Sequence, residues 1–358
     1  MRINSEFSTI FISTEIQTIL TEIFKELKNR KIFVLVDENT KSNCLPLIYA
    51  IDEIKKSEII EIKSGESNKT INTVEKVWKT LQEKGADRTS LLINLGGGII
   101  GDLGGFAAST FKRGIDFINI PTTLLSQVDA SIGGKTGVNF YGLKNEIGVF
   151  NHPKYILIDS SFNQTLDDRN ILSGWAEMLK HALIFDEKDW LNLINHKIKQ
   201  TGFKELNQLI ARSVNIKNHF VEQDPFEKNI RKALNFGHTF GHAFESFFMS
   251  SENEILHGEA IAHGIICEIY LSHKMSNFPI HKMDKIVSYI FNTYKRLELR
   301  EKDFEKILEL IGHDKKSEGL NINLTLLEDI GQIKINQNCK KEDIIETLKW
   351  YSNLQYEN

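Results

Sequence analysis

At 358 residues, 41% hydrophobic and 26% charged, the chain is long enough for two soluble domains that each bury a core. A formal net charge of -4 argues against a broad basic face for nucleic acid, although 44 Lys and Arg residues leave room for a local cationic pocket. No run approaches the roughly 20 apolar residues of a membrane helix, and Glu6 and Glu15 break up the N-terminus, where a signal peptide would be basic and then apolar. Cys44, Cys267 and Cys339 are far apart, which fits neither a disulfide framework nor a thiolate metal site. A cytoplasmic protein with no membrane or nucleic-acid partner is expected.

In chain order, short β-branched runs at 32–36, 59–62, 91–95, 117–120 and 155–158 read as buried parallel strands. Between the second and third, residues 72–84 place Val74, Val77, Trp78 and Leu81 at helical spacing. Such alternation predicts an α/β domain over 1–165 with a Rossmann-like, doubly wound parallel sheet. Over 166–358 a period of 3.6 residues takes over, in 171–184, 190–198 and 236–248, interrupted by a strand pair at 322–326 and 332–335. This half is expected to be a mainly helical domain, packed closely against the first with a cleft between them.

Two segments of the first half suit an anionic ligand. Gly96, Gly98 and Gly101 satisfy a loose GxGxxG pattern between a strand and a small-residue helix at 103–110, where backbone N–H groups can approach a phosphate. The pattern follows the third strand, whereas the usual dinucleotide fingerprint follows the first. The stretch 120–137 then gathers Thr122, Thr123, Asp129, Lys135 and several glycines just after a strand, with Lys144 and Asn145 close behind.

The second half carries metal chemistry. On a helix His238, His242 and Glu245 share one face, and Phe236, Phe240, Phe244 and Phe247 the other. A catalytic zinc takes three protein ligands and keeps one position open. Glu177, His181, His238, His242 and His257 are five candidates for those three places, and spacing alone pairs His238 with His242.

The runs GGGIIGDLGGFAAST, IPTTLLSQVDASIGGKTGVN, GLKN, GWAEMLKHALI, RKALNFGHTFGHAFE and LHGEA, in this order, resemble the 3-dehydroquinate synthase family of sugar phosphate cyclases. The resemblance implies an NAD-binding domain followed by a helical domain that binds zinc (or cobalt in its place) and substrate. It assigns the metal to Glu177, His238 and His257, and places His242 near the substrate phosphate. For NAD it implies Asp37, Asn39, Glu66, Lys69, Gly97, Gly98, Asp102, Thr122, Thr123, Lys135, Lys144, Thr165 and Leu166. For the substrate, a seven-carbon keto-acid sugar phosphate, it implies Asp129, Lys135, Lys144, Asn145, Lys180, Lys217, Glu227, Arg231, Asn235, His242 and one of Lys315 and Lys316. Arg113 matches a residue that reaches across a homodimer interface. The implied reaction belongs to the shikimate pathway: transient oxidation, phosphate elimination, re-reduction and aldol closure. One departure falls at Asn170, where the family has a glutamate that helps hold the cofactor.

Overall fold

The five β-branched runs of the N-terminal half, with two further strands, Arg2–Asn4 and Thr9–Ile12, that were not expected, pair into one seven-stranded sheet in the computed structural model, which describes residues 1–141, 143–198, 201–249, 254–314 and 322–354. By backbone contacts the chain separates into two units, Met1–Ile171 with Thr201–Asn218, and Leu172–Gln200 with His219–Asn358.

The first unit contains β1 (Arg2–Asn4), β2 (Thr9–Ile12), α1 (Ile16–Glu26), β3 (Ile32–Asp37), α2 (Glu38–Asn43), α3 (Asp52–Lys55) and β4 (Glu58–Ile62). It continues with α4 (Ile71–Glu83), β5 (Leu91–Gly96), α5 (Gly98–Thr110), β6 (Asp116–Pro121), a hairpin of β7 (Lys135–Phe140) and β8 (Leu143–Phe150), and β9 (Tyr155–Ile158). The sheet order is β1-β2-β9-β6-β5-β3-β4, parallel throughout except for β1. Every residue of β5 is buried, as a strand covered on both faces requires. Val34, Val36, Ile93 and Leu95 pack on one face against Leu20 and Phe24 of α1; Phe33, Leu35 and Leu92 pack on the other against Val74, Val77 and Leu81 of α4. From β3 the chain passes to β4 on one side and then to β5 on the other, so the winding reverses between β3 and β5. Their C-terminal ends, Asp37 and Gly96, therefore flank the switch point where such sheets bind ligands.

The second unit is mainly helical: most of α6 (Asp168–Leu183), α7 (Glu187–Ile194), the end of α8 (Phe203–Gln223), α9 (His238–Phe248), α10 (His257–Ser276), α11 (Ile280–Thr293), α12 (Phe304–Asp314) and α13 (Lys341–Asn353). An antiparallel pair, β10 (Ile322–Asp329) and β11 (Gln332–Cys339), interrupts the helices. The expected single boundary after residue 165 is simpler than this division. The first part of α8 groups with the sheet, where the Ser160 hydroxyl donates to the Phe203 carbonyl at 3.0 Å and the Ser160 N–H to Asn207 Oδ1 at 3.3 Å.

Three helices differ clearly from their expected bounds: the one expected over 103–110 is α5, which already starts at Gly98 and so takes Gly98 and Gly101 into its first turns. The helix expected over 190–198 is α7, which starts at its Asp186 cap and stops at Ile194. The one expected from 236 starts at His238, because Gly237 adopts φ 82°, a left-handed conformation that breaks the pattern. Phe236 thus lies outside α9, and Phe248 joins Phe240 and Phe244 in the core while Phe247 is half-buried.

Close packing of glycines brings α6, α9 and α10 together. A Cβ on Gly258 would overlap the backbone of Ser173 in α6, and one on Gly264 would overlap the Gly237 carbonyl at the start of α9. Further along α10, His263 is buried. Its Nε2 must donate to the Lys295 carbonyl (3.0 Å), so Nδ1 accepts from the Tyr351 hydroxyl (2.9 Å). Burial lowers its pKa from 6.5 to about 4. The folded value lies below the unfolded one, so the unfolded chain binds the extra proton between them. The stabilising effect is complete above about pH 6.5 and is lost as pH falls toward 4, by up to about 3 kcal/mol. Urea titrations at about pH 7 and about pH 5 should show this loss in the wild type and much less of it in His263→Gln.

Candidate active site and metal centre

At the switch point of the first unit, Asp37 ends β3 and caps α2, with Oδ1 accepting from the Thr40 N–H at 2.7 Å. An ionised carboxylate has further lone pairs for a sugar hydroxyl. Asn39 is exposed in the first turn of α2. Across the switch point Gly97 caps α5, whose first N–H groups lie at the end of β5. Thr123 packs against Gly97, where an added Cβ would come within 3.2 Å of Thr123 Cγ2; at Gly98 it would come within 3.3 Å of Ala130. Thr122 is buried and its N–H donates to the Gly96 carbonyl at 3.0 Å. Thr165 donates through its hydroxyl to the Phe162 carbonyl at 2.8 Å, and Leu166 follows half-buried. Asn170 is turned back on Asp167, its side-chain amide 3.0 Å from Oδ1.

A polar chain links four of the expected residues. Lys69 is buried, with Nζ 2.6 Å from Asp102 Oδ2 and 2.5 Å from Asn145 Oδ1. The Asn145 N–H donates to Asn139 Oδ1 (2.9 Å), and Asn139 Nδ2 donates to Glu66 Oε1 (2.8 Å). Burial pushes the Asp102 carboxyl above its usual range, opposed by the charge of Lys69. Asn139, in β7, is the member that sequence reasoning missed. Elsewhere in this unit Lys217 reaches Asp129, 88 positions earlier, with Nζ 2.6 Å from Oδ1 and 2.7 Å from the carbonyl. Lys135 and Lys144 lie on the β7–β8 hairpin, the first exposed and the second half-buried, and Arg113 is exposed in a turn at φ 72°.

The second unit brings three donors from three helices together. Glu177 of α6 is 0% exposed. Its Oε1 lies 3.5 Å from His238 Nε2 in α9 and 3.4 Å from His257 Nε2 in α10. All three donor atoms fall within 4.8 Å of one another. A tetrahedral cation about 2.1 Å from each donor would hold them about 3.4 Å apart, so these residues fit a divalent metal. The other oxygen, Oε2, faces Lys180 Nζ at 2.5 Å, and Lys180 is only 1% exposed. Each histidine is oriented through its second nitrogen: His238 Nδ1 lies 3.2 Å from the Phe236 carbonyl, His257 Nδ1 3.2 Å from Glu245 Oε2.

Electrostatics distinguish the two rings. Burial and then the Lys180 charge hold His238 well below its usual pKa, leaving a neutral imidazole with a lone pair. Burial would lower His257 too, but Glu245 and Glu177 outweigh it and raise the pKa to about 10. A cation entering this site therefore displaces a proton from His257. The i, i+4 partner suggested by spacing, His242, stands beside the cluster, its ring 5.2 Å from that of His238 and 5.8 Å from that of His257. His181 is fully buried in α6, outside this trio.

A loop before α9 carries three more expected residues. Asp224 organises it, accepting from the N–H groups of Lys228 (2.9 Å), Asn229 (2.6 Å) and Arg231 (3.2 Å). Burial raises the Asp224 pKa, yet these N–H donors prevail and hold it below the usual value. Arg231 is buried with Nη1 2.5 Å from the Pro225 carbonyl, and Asn235 Nδ2 donates to Glu227 Oε1 at 2.7 Å. Asp224 was not singled out from the sequence; a carboxylate directly before Pro225 and a polar loop is the signal it offered. Lys315 and Lys316 lie outside the described residues.

Comparison with known proteins agrees with this architecture. The family model described as 3-dehydroquinate synthase N-terminal matches residues 59–173, and the one described as 3-dehydroquinate synthase C-terminal matches residues 174–317. A 3-dehydroquinate synthase of Parabacteroides distasonis is 47% identical over 342 residues, 96% of this chain and 97% of that protein. The fold is shared with 2-deoxy-scyllo-inosose synthase, solved with carbaglucose-6-phosphate, NAD+ and Co2+ (TM-score 0.86, 22% identity, covering 98% of this chain and 99% of that one). It is shared also with 2-epi-5-epi-valiolone synthase from Streptomyces hygroscopicus subsp. jinggangensis 5008, solved with NAD+ and Zn2+ (TM-score 0.84, 24% identity, 98% of each chain). With both halves matched and a close relative spanning nearly the whole length, this chain belongs to the 3-dehydroquinate synthase family.

Proposed function

We propose that the chain converts 3-deoxy-D-arabino-heptulosonate 7-phosphate to 3-dehydroquinate and phosphate, as a carbon–oxygen lyase that uses NAD and a divalent metal, zinc or cobalt. The observation that carries this reading is the facing of Glu177, His238 and His257 from three separate helices. Family membership supplies the reaction. When bound, the nicotinamide accepts and later returns one hydride, and the cation offsets negative charge on the reacting substrate oxygen.

The chain's own residues divide the remaining work. Asp37, Gly97, Gly98 and the Lys69–Asp102 pair hold the cofactor at the switch point. Lys180 fixes Glu177 so that Oε1 faces the two histidines. Arg231, a planar donor immobilised by Pro225, suits the substrate carboxylate, with Asn235 and Glu227 beside it in the loop. Lys217 and Asp129 form an acid–base pair for substrate hydroxyls, and Lys135, Lys144 and Asn145 serve its anionic groups. His242, beside the metal histidines, moves the proton that accompanies phosphate departure.

A homodimer is supported by the hairpin β7–β8, which leaves Phe140, Tyr141, Leu143, Val149 and Phe150 exposed, Tyr141 at 91%. Arg113 would then serve the partner's site. Three free, buried cysteines agree with a reducing cytoplasm. The test is an assay of the heptulosonate phosphate with NAD and zinc. One phosphate should appear per substrate consumed, with no lasting NADH. Arg231→Ala should raise the KM for substrate at least about tenfold and leave the Kd of NAD unchanged. Accumulating NADH would point instead to a dehydrogenase of the same fold and overturn the reading.

A further inference from the structure

The two histidines of the metal centre are supported by unlike groups, and the difference assigns a role to a residue outside the ligand set. His238 Nδ1 faces a neutral backbone carbonyl, that of Phe236, at 3.2 Å. His257 Nδ1 faces the Glu245 carboxylate, 3.2 Å away, while its Nε2 points at Glu177 Oε1 3.4 Å away. A carboxylate only accepts, so Nδ1 must carry the hydrogen and Nε2 is left to donate to a cation. Glu245 sits on α9, two turns beyond His238, and thereby ties the ring of α10 to the helix that bears the other histidine. A carboxylate behind a ligating imidazole also makes it a stronger donor.

We infer that Glu245 is a positioning residue for the metal centre: its carboxylate fixes the tautomer and ring plane of His257 and so sets how tightly the divalent cation is held. The inference rests on the metal reading proposed above. Glu245 itself donates nothing to the cation, and the carbonyl behind His238 cannot replace it.

The experiment measures zinc affinity of metal-stripped protein by competition with a chromophoric chelator, alongside the melting temperature of the stripped protein, the Kd of NAD and the visible spectrum of the cobalt form. His257→Ala serves as the reference for loss of a ligand. Glu245→Ala should weaken zinc by about 10- to 100-fold and shift the cobalt bands, with the stripped protein melting as the wild type and NAD binding unchanged. Glu245→Gln keeps an acceptor for Nδ1–H without the charge, so it should recover part of the affinity and still fall short of wild type. This isosteric change also carries the test should the Ala variant fail to fold. Wild-type zinc affinity in both Glu245 variants, with zinc lost in His257→Ala, overturns the inference alone. Zinc bound as in the wild type by His257→Ala overturns the metal reading beneath it. Zinc loss in step with a lower melting temperature of the stripped protein and weaker NAD binding marks a structural role and also overturns the inference.

Discussion

Glu177→Gln should abolish tight binding of the divalent cation and lower kcat/KM by about 10³-fold or more, the scale of several kcal/mol of charge stabilisation. The reason is geometric: Oε1 is the atom that both Nε2 donors face, at 3.4 and 3.5 Å. The same change takes the carboxylate away from Lys180, 2.5 Å from Oε2 and buried. The stripped Gln variant should therefore also be less stable than the stripped wild type, by about 3 kcal/mol, as when one partner of a buried pair is removed. Chelator competition and urea denaturation separate the two effects. Full zinc affinity in the variant would contradict the assignment.

The second large effect belongs to the other unit. Lys69→Met should weaken NAD binding by about tenfold or more and cost about 3 kcal/mol of stability, while leaving zinc affinity unchanged. Lys69 is the only cation within ion-pair distance of Asp102 among the described residues, and it also holds Asn145. Burial already raises the Asp102 pKa, and removing the lysine charge raises it further, so the carboxyl protonates nearer neutrality. Combining Lys69→Met with Asp102→Asn should recover part of the stability, because no buried carboxylate is then left without its cation. Isothermal titration with NAD and urea midpoints of both variants check this.

How much of this was legible beforehand depended on burial. Five of the parallel strands were, because a strand covered on both faces is a continuous apolar run, as in β5, whereas the short parallel strand β2, half-buried at alternate residues, was not. The β7–β8 hairpin was not: Val138 is buried but Phe140, Leu143, Val149 and Phe150 are exposed, and two glycines lie opposite each other in its register, Gly137 against Gly148, leaving no alternation to read. Phe236 and Phe240 fit one helical stripe, yet Gly237 turns the chain left-handed between them, which periodicity does not register.

The metal centre shows the same limit. Helical spacing offered His238 with His242, since i and i+4 share a face. The donors that face Glu177 come instead from different helices, joined where Gly258 meets Ser173 and Gly264 meets Gly237. Contact-forming glycines carry that information, and a single sequence does not say which helices they join. It was the resemblance that named Glu177, His238 and His257, and only the fold places their side chains near one another.

Crystals soaked in zinc and measured at its absorption edge test the central claim most directly. The account predicts one strong anomalous peak about 2.0–2.2 Å from Glu177 Oε1, His238 Nε2 and His257 Nε2. A peak ligated by His242 in place of either histidine, or none near Glu177, would contradict it.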